Sequence, residues 1–322
     1  MNKNYPLAVI INSYNRVDLL RGALCSLIKI IHDSYLGMSV IVFDAGSSDG
    51  SVEFVREKSL EVDVPVHLIQ PDEESSGSFA AGVNSAVAYA AEVYPELEWC
   101  LLYETDNYLK NSQAIAKGIQ LLECQQELAA VGFTVERHDG GKAGYGERFP
   151  TTLSFVLGQQ VSSSLGLLEP EPNWQESKGL RFTYCDVVYT SPLLVRYRDW
   201  RAIGGMDQDT FPFTDSDVDL CWRFKKSGTQ CAVLDLPGVV HDNKQLHSEW
   251  SEARVEKFHR SRLKLLEKHG EIGIEEIKLA LALRHLVEIV GLAFLYLIGN
   301  RPLESIASRI GLLRSLLSGY ND

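Results

Sequence analysis

The chain lacks most of the features that assign a protein quickly. Its six cysteines form no Cys-x-x-Cys pair and no zinc-like spacing, which sets aside a thiolate zinc site. They are Cys25, Cys100, Cys124, Cys185, Cys221 and Cys231, and most lie in apolar stretches and read as free thiols in a core. No signal-peptide core opens the sequence, because Met1–Tyr5 is polar and Leu7–Ile11 is too short. A reducing, cytoplasmic setting is the expectation. No Gly-x-Gly-x-x-Gly comes after the first apolar run, and residues 141–146 match neither that order nor a Walker A loop. A dehydrogenase is therefore a poor fit. Internal repeats and low-complexity tracts are missing too.

Basic charge is also scarce. The 322 residues carry 31 Lys and Arg against 43 Asp and Glu, a net charge of −12. That balance argues against a nucleic-acid partner. The deficit is uneven: residues 253–322 hold 11 basic and 8 acidic side chains, leaving 20 against 35 in residues 1–252. An acidic body thus precedes a mildly basic tail. With 45% hydrophobic residues, the chain has enough apolar surface to bury a core.

Short apolar runs alternate with helical periodicity through the first 135 residues. Leu7–Ile11, Val40–Phe43, Val66–Ile69, Trp99–Tyr103 and Ala129–Thr134 read as buried strands. Leu20, Leu24, Leu27 and Ile31 share one helical face, Phe79–Ala91 is a small-residue helix, and Ser112–Leu122 is another. Strands without polar alternation, separated by helices, predict an α/β fold with a mostly parallel sheet covered on both faces. Residues 136–180 are rich in Gly, Ser, Pro and Glu and predict a long irregular stretch. Order is expected again from Val187–Val195, then in a helix near Val218–Lys226 and a strand at Gln230–Asp235. Everything from Ser251 onward reads as helical, so the expected division is a body, 1–250, and a C-terminal helical extension, 251–322.

Polar clusters come directly after the strands, where open parallel sheets bind ligands. Asn12-Ser13-Tyr14-Asn15-Arg16 succeeds the first, Asp44-Ala45-Gly46-Ser47-Ser48-Asp49-Gly50 the second, and Glu104-Thr105-Asp106-Asn107 the run ending at Tyr103. Capping and turn chemistry accounts for single members such as Asn15 or Ser48. It does not account for acids placed repeatedly just past buried strands.

These clusters carry a resemblance. Val9 to Arg16 and Val40 to Gly50 resemble the opening of a family 2 glycosyltransferase of GT-A fold. Ser76 to Asn84 is similar to that family's Gly-rich segment, and Glu104-Thr105-Asp106 stands where it carries an Asp-x-Asp motif. Gly204-Gly205-Met206-Asp207, then Ser216-Asp217-Val218-Asp219-Leu220-Cys221-Trp222-Arg223, is similar to its later acidic block. Phe258–Arg262 and Lys268-His269-Gly270 resemble the segment after that block in rhamnosyltransferase-like members, and the likeness runs over residues 7–270.

The resemblance implies inverting sugar transfer from a UDP-, dTDP- or GDP-linked donor to a glycan or lipid-linked acceptor, in polysaccharide biosynthesis. It places Ser13, Tyr14, Asn15 and Asp44 beside the base, and Ser78 and Glu104 near the rest of the donor. Asp106 and His241 would hold Mn²⁺ or Mg²⁺, and Asp217 would be the general base. Two positions depart from the family pattern: Glu104 replaces the first Asp of its motif, and Ser216 replaces a Glu. They leave open a catalytically silent nucleotide-sugar-binding protein. A sugar-phosphate nucleotidyltransferase would need a Gly-rich loop after the first strand, and Asn12–Arg16 has no Gly. Asp219 is expected to be structural, and Trp222 either an acceptor wall or core.

The tail offers one long apolar stretch, Leu279–Gly299. Arg284, His285 and Glu288 interrupt it, and only about ten apolar residues remain beyond them, half of what a span needs. An amphipathic helix is the expectation, packed on the body or lying peripherally on a membrane surface.

Overall fold

The computed structural model describes residues 5–32, 37–71, 77–110, 112–136, 142–143, 146–168, 171–241, 252–270, 272–299 and 303–318. The chain forms two compact units. One holds residues 1–148 and 170–245, the other residues 149–169 and 246–322. The helical unit thus draws a segment from the stretch before residue 170 as well as the tail.

The first unit is an α/β layer structure. Strands β1 (Leu7–Ser13), β2 (Met38–Asp44), β3 (Val66–Ile69) and β4 (Trp99–Leu102) stand in the order β3-β2-β1-β4 and run parallel. The sheet continues through β10 (Leu193–Arg196), β6 (Leu128–Glu136), β11 (Gln230–His241), β9 (Leu180–Cys185) and β8 (Gln175–Ser177). There β10 and β9 are antiparallel to their neighbours, while β6 and β11 pair in parallel. Every residue of β2, and all but Asn12 of β1, is buried. Helices cover both faces of such strands, which is why their sequences show no polar alternation.

Helices α1 (Val17–His32), α2 (Ser51–Glu61), α3 (Phe79–Val93) and α4 (Gln113–Cys124) connect these strands. Helix α3 buries Ala80, Ala81, Gly82, Ala86 and Ala90, so its backbone lies close to the sheet. A Cβ at Gly82 would sit 2.3 Å from Asn12 Nδ2 and 2.6 Å from the Phe43 ring. Small residues are therefore a packing requirement of this helix. The short strands β5 (Asn107–Leu109), paired with β11, and β7 (Lys142–Ala143), paired with β6, were not foreseen from the sequence.

The 136–180 stretch is more regular than its composition suggests. Helices α5 (Thr152–Leu157) and α6 (Gln159–Ser164) lie within it, and α5 starts at a reciprocal cap between Thr151 and Ser154. That box uses Ser where Glu or Gln is usual, so the familiar signature was missing. Order also returns earlier than expected, at β8 and β9.

In the helical unit, α9 (Glu252–His269), α10 (Ile274–Leu297) and α11 (Leu303–Leu317) pack with α5 around Phe155, Leu263, Leu266, Ile277, Leu281 and Leu316. Inside the unit, Glu288 receives a 2.9 Å hydrogen bond from Arg284 Nε, ion-pairs with Arg309 at 3.1 Å and shares a hydrogen bond with His285 Nδ1 at 3.3 Å. Burial alone would raise the Glu288 pKa. The hydrogen bond to His285 and the charges of Arg284 and Arg309 outweigh it and pull the carboxyl down to about 2. His259 stacks on His285 with ring centroids 5.4 Å apart. Burial, then the charges of His285 and Arg284, push its pKa down to about 3. By length and composition α10 could cross a membrane. Its outward side exposes Leu279, Leu283, Val287, Val290, Phe294 and Leu297, positions that share one helical face.

Candidate active site

A cleft of about 600 Å³ opens at the carboxyl ends of β1, β2 and β4, beside the point where the chain's strand order reverses around β1. It is lined by Asn12, Tyr14 and Arg16 after β1, Ala45 after β2, and Gly77 and Phe79 at the start of α3. Glu104, Thr105, Thr190, Phe213, Ser216 and Asp217 complete it. Helix α8 (Ser216–Lys226) carries the last two.

Interlocking turns fix the loops after β1 and β2. Asn15 adopts φ 49°, its N–H donates to Ser47 Oγ at 2.8 Å, and its Oδ1 accepts from Ser48 N at 2.8 Å. Asp49 accepts from Val17 N and from the Ser51 hydroxyl, and the Ser51 bond holds its carboxyl below the usual carboxylate range. Asp44 Oδ1 accepts from the backbone N–H groups of Gly46 and Ser47. Its Oδ2 is buried with no hydrogen-bond partner, and so is Ser13 Oγ. Ser13 and Asp44 are register partners at the end of the β1–β2 ladder. Two unsatisfied polar atoms side by side are uncommon in a finished core and point to a ligand-binding position.

A second set of contacts positions α8. Asn84 on α3 donates to the Met206 carbonyl and accepts from Met206 N, both at 2.9 Å. Gly204 and Gly205 take φ +77° and +73° in that turn, a conformation that favours glycine. Asp219 is fully buried and bonds Arg223 at 2.7 Å, and Arg223 also donates to the Ile203 carbonyl. Asp219 is therefore structural. Asp217, half-buried at the first turn, faces the cleft instead. Burial first, then the negative charges of Asp215 and Glu104, raise its pKa to about 7. Glu104 is fixed by a 2.6 Å hydrogen bond from Thr190 Oγ1.

Of the residues singled out from the sequence, the structure brings Tyr14, Glu104 and Asp217 into the cleft wall. Ser13 and Asp44 lie buried beneath its edge, and Asn15 is engaged in tying the two loops together. Ser78 is buried as the N-cap of α3, its hydroxyl accepting from Ala81 N. Asp106 is only 7% exposed and is not part of the cleft wall. Its neighbour Asn107 is the register partner of His241 at the end of β11; the His241 side chain lies outside the described residues, as does Ser76. Trp222 is half-buried and does not line the cleft.

Several lining residues were not singled out. Arg16 is the cleft's cation, and no described side chain pairs with it. Its place in the first polar cluster, opposite in charge to a phosphate, was the available signal. Thr190 precedes β10, whose antiparallel insertion beside β4 no local pattern announces, and Phe213 lies in a segment that the Pro212 carbonyl ties to α3.

The donor atoms at this edge are carboxylate oxygens, which suit Mg²⁺ or Mn²⁺. Among the described residues no three His, Cys, Asp or Glu side chains converge to hold a metal by themselves.

The strand order and the position of the cleft define a GT-A fold, the architecture of nucleotide-diphospho-sugar transferases. Residues 8–161 match the model of Glycosyl transferase family 2. Among solved structures, the mannosyltransferase PcManGT from Pyrobaculum calidifontis, in complex with GDP-Man and Mn²⁺, is similar with a TM-score of 0.57 at 14% identity. That likeness covers 99% of this chain and 89% of the other. S. aureus TarS 1-349 in complex with UDP-GlcNAc is similar with a TM-score of 0.54 at 15% identity, over 96% and 80%. GalNAc-T7, in complex with UDP, GalNAc and Mn²⁺, gives 0.53 at 9% identity over 75% and 44%. Identities this low establish the shared fold. A search of curated proteins finds no match to the sequence.

Proposed function

We propose that the protein transfers a sugar, with inversion, from a nucleoside-diphosphate sugar to a hydroxyl of a glycan or lipid-linked acceptor. The observation that carries this reading is Asp217: a carboxyl in the wall of the cleft with its pKa raised to about 7. A base poised near neutrality is suited to take a proton from an attacking hydroxyl. The transition state gathers positive charge on the anomeric carbon, as in glycoside hydrolysis, and the carboxylates of Glu104 and Asp217 suit that charge. Tyr14, Ser13 and Asp44 form the base-binding end, where the unpartnered Asp44 Oδ2 and Ser13 Oγ would meet the base's polar edge. A uracil, thymine or guanine ring N–H answers the Asp44 carboxylate.

Arg16 supplies positive charge toward the diphosphate. A divalent cation, held by Asp106 and His241 at the β5–β11 end and completed by the diphosphate, would neutralise the leaving group. The metal-bearing PcManGT and GalNAc-T7 complexes support this reading. The apolar stripe of α10 suits peripheral contact with a cytoplasmic membrane face, which flotation with liposomes would check.

The test is equilibrium binding of UDP, dTDP and GDP with and without Mn²⁺, and then donor turnover. One nucleotide should bind, more tightly with Mn²⁺, and its sugar conjugate should be consumed. Binding that ignores the metal removes the cation from the proposal. Binding with no turnover on any acceptor identifies a silent nucleotide-sugar-binding protein instead.

A further inference from the structure

Phe213 is 66% exposed on the wall of the cleft, four residues ahead of Asp217. Its exposure does not come from a loose backbone. The Pro212 carbonyl accepts from Ala80 N at 3.0 Å, and the Phe213 carbonyl accepts from Ser216 Oγ at 3.4 Å. The segment is thus tied to α3 on one side and to the first turn of α8 on the other. An aromatic ring held out to solvent by a clamped backbone forgoes the burial that its apolar area favours. The same cleft is lined by Asp217, Ser216 and Thr190.

We infer that Phe213 is the platform on which the acceptor sugar lies, presenting its attacking hydroxyl to Asp217. A pyranose has a face of C–H bonds and a rim of hydroxyls. A flat apolar ring in a cleft that also carries hydrogen-bonding oxygens matches that pattern. A nucleobase would also stack on an aromatic ring, but Tyr14, 58% exposed in the same cleft, stands directly after β1 and the unsatisfied Ser13. The donor base is therefore assigned to Tyr14 and the acceptor to Phe213. This assignment rests on the transferase reading above and specifies the acceptor side of that site as carbohydrate.

The experiment is saturation-transfer NMR on the full chain with methyl α-pyranosides of glucose, galactose and mannose, each with UDP, dTDP or GDP present. In the unaltered protein the ring C–H protons of at least one pyranoside should receive saturation. Phe213→Ala should weaken that signal about fivefold or more, while nucleotide affinity stays within about twofold. Phe213→Tyr, which keeps the ring, should retain both. Equal saturation in Phe213→Ala, no pyranoside signal in the unaltered protein, or a matching loss of nucleotide affinity overturns the inference. A thermal melt separates misfolding from lost contact, and if Phe213→Ala melts early the Phe213→Leu variant takes its place. Failure to bind any nucleotide sinks the transferase reading; bound nucleotide without a pyranoside signal sinks only the role of Phe213.

Discussion

Two carboxyl groups, one in each unit, meet opposite fates. Asp217 is raised to about 7, whereas Glu288 is pulled down to about 2. Both lose solvation, so burial does not separate them. Their neighbours do: Asp217 faces two further acids, Asp215 and Glu104, while Glu288 is gripped by Arg284, Arg309 and His285. A carboxyl surrounded by cations is a structural tie. One crowded by anions in a cleft is a strained group, and shifted pKa values gather at functional sites.

The contrast can be broken most forcefully at Asp217. Asp217→Asn should lower sugar transfer about 10²- to 10⁴-fold while nucleotide binding persists, as single-turnover and binding assays would register. The same variant should gain stability at pH 8. The folded pKa of Asp217 lies above its ordinary value of 3.8, so its contribution is fully present below about 4 and is lost as pH rises through 7. Asn carries no charge to bury, and denaturant titration at pH 8 should show a gain of roughly 1–3 kcal/mol.

Glu288 should behave in the opposite sense. Glu288→Gln leaves Arg284 and Arg309 without their shared anion and should cost about 2 kcal/mol in the unfolding of the helical unit. Unchanged stability would mean that the tie is ornamental. His259 sharpens the comparison with a smaller effect. Its folded pKa of about 3 lies below the ordinary 6.5, so the unfolded chain takes up the proton first. Moving from pH 6.5 to 5.5 should therefore cost about 1 kcal/mol of stability, and His259→Phe should flatten that slope. The smallest effect concerns the crowding itself. Transfer should rise with pH through about 7 as Asp217 ionises, and Glu104→Gln should move that limb to lower pH. An unmoved limb would show that the Glu104 charge does not reach Asp217.

Much of this was legible in the sequence. Continuous apolar strands and amphipathic helices gave the α/β body, because periodicity reports burial on both faces of a sheet. Tyr14 and Glu104 could be singled out because acids and polar residues just past buried strands have few structural reasons to be there, whereas Asp217 was singled out only by the resemblance of residues 216–223 to a family's acidic block. Buried hydrophobics gave no hint of β5 or β7, which are too short to show a period. The helices α5 and α6 hid in a stretch of turn-like composition, and their membership of the tail's unit depends on contacts with α9–α11. Ser78 illustrates the converse: a position read as part of a donor site is a helix cap, and the two roles use the same hydroxyl.

What the sequence determined by itself was the order of strands and helices and the chemistry available at one edge of the sheet. What only the tertiary structure decided was the state of that chemistry. The acidity of Asp217 depends on Glu104, which arrives in the loop after β4, and that of Glu288 on Arg309, which arrives on a different helix. Electrostatic energy depends on distance and on excluded water, and neither is written in the order of residues along the chain. The scarcity of basic charge in the body acquires its meaning in the same way: among so many acids, Arg16 stands in the cleft wall where a diphosphate would need it.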